Sequence, residues 1–278
     1  MSALGFPTEW EYSDDCDFAD EDLESLRSFL PQVREVLAEW NLQVNESKTE
    51  FTTVYLAQQK DKDQAGQPIA NNEPWRSSKS LGSLLCTEKD ITRRRILAES
   101  AFKKFEKIWL SGKKISLDRK LRLYDAQVVS VLLYNSNSWS PTKATLNKID
   151  TLHRRHLRAI LNIKGWPNGQ ISNKALYDRC PVEKLSDRIE KQRWNMFGHI
   201  LRSSENTPAQ LALLFAIESN ELFVGRLGRP RKNLFTLLVN DLRARNMSMM
   251  NFDELNEIKD MAYCNKCWAN LYGYRLQN

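Results

Sequence analysis

Glu9-Trp10-Glu11-Tyr12-Ser13-Asp14-Asp15 is the stretch from which the rest of the chain is read. Trp10 and Tyr12 alternate with Glu9 and Glu11, the period-two pattern of a half-buried strand. Asp14-Asp15 falls where a turn is favoured, and Phe18 and Ala19 begin a returning strand. A hairpin with two carboxylates at its tip offers hard oxygen ligands to a divalent ion such as Mg²⁺, whose charge serves phosphoryl transfer. Taken alone, such a tetrapeptide is more often a solvated acidic loop, so the neighbouring sequence decides.

Downstream, Leu23, Leu26, Leu30, Val33, Leu37 and Trp40 recur at helical spacing. Asp20, Glu21 and Asp22 are placed to cap that helix and favour its dipole, while Pro31 is expected to kink or split it. Leu42-Gln43-Val44-Asn45-Glu46-Ser47-Lys48-Thr49-Glu50-Phe51 then reads as a turn into a strand ending near Leu56. This order (aromatic-x-Asp-Asp hairpin, amphipathic helix, Asn-x-x-Lys-Thr, strand) resembles the end of the palm of a reverse transcriptase from non-LTR, LINE-type retrotransposons. The family's usual tetrad is Tyr-Ala-Asp-Asp, from which Ser13 is a small departure. The resemblance implies that Asp14 and Asp15 are catalytic ligands of Mg²⁺, and that Lys48 lies near the incoming triphosphate.

Composition agrees with a nucleic-acid enzyme. Residues 1–50 hold thirteen acidic and three basic side chains, leaving 38 basic against 22 acidic in residues 51–278. Acids suited to holding cations thus precede a basic body suited to a phosphate backbone; solvated long helices account for part of that basic excess. The 278 residues suffice for one or two domains with a real core. No apolar run reaches bilayer length, and Met1 to Phe6 lacks a signal peptide's regions, so the expectation is an intracellular protein, nuclear or cytoplasmic, without a membrane partner. Five cysteines, scattered except for Cys264 and Cys267, argue for a reducing setting and against a disulfide framework.

Residues 1–8 show no periodicity and nothing of the family. A complete reverse transcriptase carries fingers and a further palm aspartate ahead of this point. The resemblance therefore implies a chain that is inactive alone, an incomplete fragment needing the missing palm half before it can use deoxynucleotides. Gln58 to Glu73, with Gly66 and Pro68, reads as a surface loop. In the adjoining stretch, Leu81-Gly82-Ser83 resembles the family's primer-grip hairpin, where Gly82 would let the backbone approach the primer; a plain loop-to-strand junction reads almost as well.

From Ile91 the pattern is helical. Ile91, Ala98, Ala101, Phe102, Phe105, Ile108 and Trp109 mark one face, with Gly112 placed as a C-terminal cap. Leu117 to Tyr134 is apolar nearly all round and suits a buried central helix. Thr142 is placed to cap the next, with Leu146, Ile149, Leu152, Ile160 and Leu161 inward and Arg154, Arg155 and Arg158 projecting. Ile-Trp, Lys-Leu-Arg-Leu-Tyr, Leu-Leu-Tyr, Arg-Arg-x-Leu-Arg-x-Ile-Leu, Ile171-Ser172-Asn173 and Arg193-Trp194-x-x-x-Gly198-His199-Ile200-Leu201-Arg202 resemble the thumb and helical region of the same family, so that the likeness runs from about Tyr12 to about Leu242. Asn135 stands where a glycine is common. The resemblance implies a helical bundle gripping a template–primer duplex through its backbone. Lys113, Lys114, Arg119, Lys120 and Arg122 are the favoured contacts, their alternative being solvated helix ends.

Gly225-Arg226-Leu227-Gly228-Arg229-Pro230-Arg231-Lys232 reads as a basic entry to a helix carrying Leu234, Leu237, Leu238 and Leu242, with Pro230 in its first turn. Alternatively, Arg229 and Arg231 flank an Arg-Pro core that enters the minor groove of A·T-rich DNA. Cys264-Asn265-Lys266-Cys267 has zinc spacing without a second pair at the usual distance, and His153 and His156 lie three apart on a basic helix; neither is assigned zinc.

The expected architecture is α+β, a small palm-remnant hairpin and sheet followed by a predominantly helical thumb and C-terminal region. The segments are a partial palm (1–56), a polar loop and primer-grip-like hairpin (57–90), a helical thumb-like bundle (91–205) and a helical C-terminal region with the basic Gly-Arg-Pro-Arg segment (206–278). The leading functional expectation is the C-terminal portion of an RNA-directed DNA polymerase. The alternative is a non-catalytic helical nucleic-acid-binding protein derived from such an element.

Overall fold

Thr8–Tyr12 (β1) and Asp15–Ala19 (β2) pair antiparallel, from Thr8↔Ala19 to Tyr12↔Asp15. Asp15 therefore opens the returning strand, and only Ser13 and Asp14 lie between the strands. The structure is a computed structural model that describes residues 8–12, 15–20, 22–51, 78–111, 115–163, 171–204, 206–218, 233–249 and 251–273. The chain divides into two units, residues 1–89 and 90–278.

In the first unit, helix α1 (Leu23–Glu39) comes after β2. The Asp22 carboxylate accepts the backbone N–H groups of Glu24 and Ser25, satisfying donors that the first turn leaves without partners. Pro31 lies inside α1, yet the helix continues to Glu39 and is not divided in two. The ring removes one N–H from the helical ladder, a loss that the flanking turns outlast. The stripe Leu26, Phe29, Leu30, Val33 and Leu37 is half-buried, and the Phe29 ring meets Phe18 of β2 edge-on at 5.4 Å. Asn41, at φ 62°, ends α1: its N–H bonds the Ala38 carbonyl while the Leu42 N–H reaches back to Leu37. That pair of bonds is the Schellman closure, with asparagine taking the left-handed position usual for glycine.

The strand expected after Lys48 has not begun by Phe51, and residues 52–56 lie outside the described residues. A second hairpin joins Lys79–Ser80 (β3) to Ser83–Leu84 (β4). Its connecting residues, Leu81 and Gly82, have φ of 47° and 77°, the doubly positive geometry that matches the twist of a two-residue hairpin. The Ser80 hydroxyl donates to the Asp17 carboxylate at 2.9 Å, tying the two hairpins together.

Beyond the first turn of α2 (Thr87–Lys104), the second unit is helical. The single helix expected over Ile91 to Trp109 is interrupted at Phe105, after which α3 (Glu106–Ser111) begins. Trp109 stays buried and its indole N–H donates to the Phe102 carbonyl, so the tryptophan holds the joint closed. The central helix expected over Leu117 to Tyr134 appears as α4 (Leu117–Tyr124), a π-helical turn over Asp125–Val129, and a last turn α5 (Ser130–Leu132). Leu121, Tyr124, Val128, Val129, Leu132 and Leu133 are buried, but Tyr134 is 48% exposed. One face, not the whole circumference, is thus packed. Asn135 adopts φ 57°, which is how an asparagine serves where a glycine is common.

Helix α6 (Lys143–Ile160) starts at Thr142, whose hydroxyl accepts the Thr145 N–H at 3.1 Å. Next come α7 (Asn173–Arg179), α8 (Leu185–Arg202), α9 (Pro208–Glu218), α10 (Leu234–Arg243), α11 (Phe252–Tyr263) and α12 (Asn265–Gly273). Helix α10 begins at Leu234 with Asn233 as its cap, so Pro230 precedes the described helix and does not open it. Two hydrophobic clusters form among the described residues. The first gathers α2 to α7 around Tyr124, Leu132, Ile149 and Leu157, and the second gathers α9 to α12 around Phe197, Leu201, Leu242 and Trp268. Helix α8 serves both, giving Leu185 and Ile189 to one and Trp194, Phe197 and Leu201 to the other. Gly198 lies against Trp268 of α12: a Cβ there would stand 2.5 Å from Trp268 Nε1.

The described residues are thus predominantly helical with small antiparallel sheets, which agrees with an α+β class at that coarse level. No helix among them is long and apolar enough to cross a membrane.

Candidate nucleic-acid interface

Helix α6 carries the basic surface because its periodicity spends the apolar positions inward. Ile149, Leu152, Leu157 and Ile160 are buried, which turns Arg155 to the surface and leaves Arg154 and Arg158 half-buried at its margin. Each arginine is held by a neighbour. Arg155 pairs with Glu99 of α2, Arg158 donates to the Asn173 side chain of α7 at 2.8 Å, and Arg154 donates to Thr151 at 2.9 Å and bonds Tyr177. These partners fix the stems and use only part of the five N–H donors that each guanidinium carries.

Three of the five expected contacts lie on α4, and there they separate. Arg119 and Arg122 are exposed, Arg122 pairing with Asp118 one turn earlier at 3.1 Å. Lys120 departs from the expectation of a surface contact: it is only 9% exposed and its ammonium donates to the Trp109 carbonyl at 3.1 Å. The reason is helical phase, since Lys120 shares the inward side with Leu121 and Tyr124 and snorkels to the end of α3. Lys113 and Lys114 lie outside the described residues, as do Arg229 and Arg231 of the Arg-Pro run.

In the first unit, Asp14 and the side chain of Asp15, the expected Mg²⁺ ligands, lie outside the described residues. Lys48 is exposed on a turn organised by Asn45, whose carbonyl accepts the N–H groups of Lys48 and Thr49 and the Thr49 hydroxyl. The Ser47 hydroxyl bonds the Asn45 side chain, and Arg34 of α1 pairs with Glu46 at 2.9 Å. The Asn-x-x-Lys-Thr motif is therefore a self-bonded turn clasped to α1, from which Lys48 projects. Gly82 is exposed at the tip of the β3–β4 hairpin, where its positive φ suits glycine. The structure thus brings Arg154, Arg155 and Arg158 together on one helix.

Sequence reading passed over a polar cluster beneath the α6 arginines. His153 and His156 are each 2% exposed, and both Nδ1 atoms lie against the Tyr124 hydroxyl, at 3.0 and 3.2 Å. Tyr124 has one proton to give. It donates to one imidazole and accepts from the other, so the two histidines are opposite tautomers. The His156 ring also stacks on Phe102 at 4.0 Å, and its Nε2 is 3.6 Å from Glu99. Burial, reinforced by Arg154, pulls the His153 pKa down to about 4; burial, reinforced by Arg155 and His153, pulls His156 down to about 3. Burial likewise raises the Tyr124 phenol far above its usual range. The available signal was that both histidines interleave with Leu152 and Leu157, positions that face the core.

The second cluster conceals a further set. Arg193 pairs with Asp241, and Arg245 pairs with Glu190 at 3.0 Å while its guanidinium lies 4.5 Å over the Trp194 ring. Burial raises the Asp241 pKa, opposed by the charge and hydrogen bonds of Arg193. These charges lie within a helix-packing core. Cys264 and Cys267 are bonded to each other, a departure from the expectation of reduced cysteines, whereas Cys86 and Cys180 are free. Their separation of three across the α11–α12 turn sets the Cα atoms 5.2 Å apart, within disulfide reach.

No protein-family model, curated protein or solved structure matches the chain.

Proposed function

We propose that the chain is the C-terminal portion of a non-LTR retrotransposon reverse transcriptase, and that its helical body grips the template–primer duplex through phosphate contacts. The observation that carries the reading is the succession of an Asp-Asp hairpin whose strands close at Tyr12↔Asp15, an amphipathic helix, an Asn45-centred turn presenting Lys48, and then helices with outward arginines. Asp14 and Asp15 supply carboxylate oxygens of the kind Mg²⁺ takes, and Lys48 supplies positive charge toward a departing pyrophosphate. Arg154, Arg155 and Arg158, with Arg119 on α4, neutralise backbone charge without reading bases.

The second reading is a non-catalytic nucleic-acid-binding chain derived from such an element. It is favoured by the fact that both hydrophobic clusters are built from residues after Asp90. Both readings require salt-dependent duplex binding, so the first test is titration of an RNA–DNA duplex at several salt concentrations. A plot of log K against log salt falls with a slope of about −0.9 per phosphate neutralised, and Arg155→Ala makes it shallower by roughly one unit. A slope near zero removes both. To separate them, a polypeptide carrying the missing palm half is supplied together with Mg²⁺ and deoxynucleoside triphosphates: primer extension with the wild type but not with the Asp14→Asn, Asp15→Asn double variant supports the polymerase reading. No extension supports the second.

A further inference from the structure

The joint between α11 and α12 holds chemistry that duplex binding does not use. Cys264 ends α11, its N–H bonding the Met261 carbonyl, and its own carbonyl accepts the Trp268 N–H in the first turn of α12. The Cys267 N–H donates to the Cys264 sulfur at 3.3 Å, and both cysteines are exposed, as is Lys266 between them. A sulfur at the start of a helix, receiving a backbone N–H beside a lysine, is placed to be stabilised as thiolate. Exposure gives it access to a soluble partner. Cys86 and Cys180 lack this arrangement, for each stands without a bonded cysteine and Cys180 is fully buried, with burial raising its thiol pKa.

The same joint sets the position of a core residue. Trp268, one residue after Cys267, is 7% exposed, donates its indole N–H to the Trp194 carbonyl at 3.3 Å, and occupies the space that Gly198 leaves open. Arg202 bonds the Ala262 carbonyl just before the joint, and Arg245 bonds the Leu271 carbonyl near the far end of α12. A covalent link four residues around therefore fixes the angle at which α12 leaves α11.

We propose that Cys264 and Cys267 are a reversible thiol–disulfide site that exchanges with low-molecular-weight disulfides and locks α12 against α8 when oxidised. The Cys264 thiolate attacks one sulfur of glutathione disulfide, breaking its S–S bond and releasing one glutathione thiolate, which takes a proton from solvent. Cys267 then loses its proton and attacks the Cys264 sulfur. The Cys264–Cys267 bond forms, the mixed disulfide breaks, and the second glutathione thiolate leaves and is protonated. Two electrons pass from the protein to glutathione disulfide, and reduction by two glutathione molecules reverses each step.

The test uses the full chain equilibrated across a series of glutathione to glutathione-disulfide ratios, acid-quenched, alkylated and read peptide by peptide by mass spectrometry. Cys264 and Cys267 should lose alkylation together along a single two-electron curve, with Cys180 unaffected. Hydrogen exchange of residues 265–271 should accelerate on the order of tenfold on reduction, while α6 does not change. A Cys264→Ser, Cys267→Ser double variant should show the faster rate in both buffers. Several results overturn the proposal: no internal disulfide at any ratio, only stable glutathione adducts, a tightly held zinc ion that protects both thiols, or oxidation without slower exchange in α12.

Discussion

Acidification should act on this fold through the two histidines under Tyr124. Both Nδ1 atoms are within 3.2 Å of one hydroxyl, and each ring is 2% exposed, so a proton added to either ring is held out of water. Positive neighbours, Arg154 for His153 and Arg155 for His156, worsen the penalty, while the backbone hydrogen bond to Glu183 and the charge of Asp125 ease it only in part for His153. The folded-state values, about 4 and about 3, lie below the 6.5 of a free imidazole, so the unfolded chain takes up both protons first. Stability is full above about pH 7 and falls as pH drops through 6.5 toward those folded values. At pH 5 each histidine costs about 2 kcal/mol, together about 4 kcal/mol, with a limiting slope of about 2.7 kcal/mol per pH unit. That is a large share of the roughly 5–15 kcal/mol by which domains are stable. Urea unfolding followed by circular dichroism at pH 8, 7, 6 and 5 measures it. The comparison is the His153→Asn, His156→Asn double variant, less stable at pH 8 but free of this term, so the gap between the two proteins should close by about 4 kcal/mol on reaching pH 5. If the two curves run parallel from pH 8 to 5, the buried, neutral tautomer pair is refuted.

Gly198→Ala should cost roughly 1–3 kcal/mol, because its Cβ would meet Trp268 Nε1 at 2.5 Å and that indole is tethered to the Trp194 carbonyl; the cost measured in a Trp268→Phe background should be smaller. Asp241→Ala should destabilise by roughly 3–5 kcal/mol in urea unfolding by stranding the buried Arg193, and Asp241→Leu with Arg193→Met should recover most of that loss. Lys120→Met should cost roughly 1 kcal/mol through the lost bond to Trp109, whereas Arg119→Ala should stay within about 0.5 kcal/mol, separating a structural cation from a solvated one. Leu81→Asn should raise the melting temperature, since φ 47° strains leucine by roughly 1 kcal/mol and asparagine tolerates it better; an unchanged or lower value rejects that account.

Local signals were legible where one residue and its immediate neighbours determine the outcome. Asp22 and Thr142 cap the helices they precede, because capping needs only a side-chain oxygen within three residues of free N–H groups. The same locality explains the inward Ile149, Leu152 and Ile160 of α6. Where the outcome depends on a partner far along the chain, the pattern misleads. Lys120 looks like one more cation beside Arg119 and Arg122, and only the end of α3, closed by Trp109, draws it inward. Asp241 and Arg193 are 48 residues apart, and nothing in the local spacing of either announces a buried pair. Breaks at Phe105 and in the π-helical turn after Tyr124 arise likewise, where rings from Phe102, Trp109, Tyr124 and His156 must share one space. A π turn adds a residue to the helical circuit and so shifts the phase of the turns after it. That shift is consistent with Tyr134 standing at the surface, where Arg94 lies 4.3 Å over its ring, despite the apolar run that leads into it. The candidate interface inherits both kinds of legibility. Its arginines follow from the period of α6, whereas the His–Tyr–His cluster that packs the inner side of that helix depends on an α4 tyrosine 29 residues away.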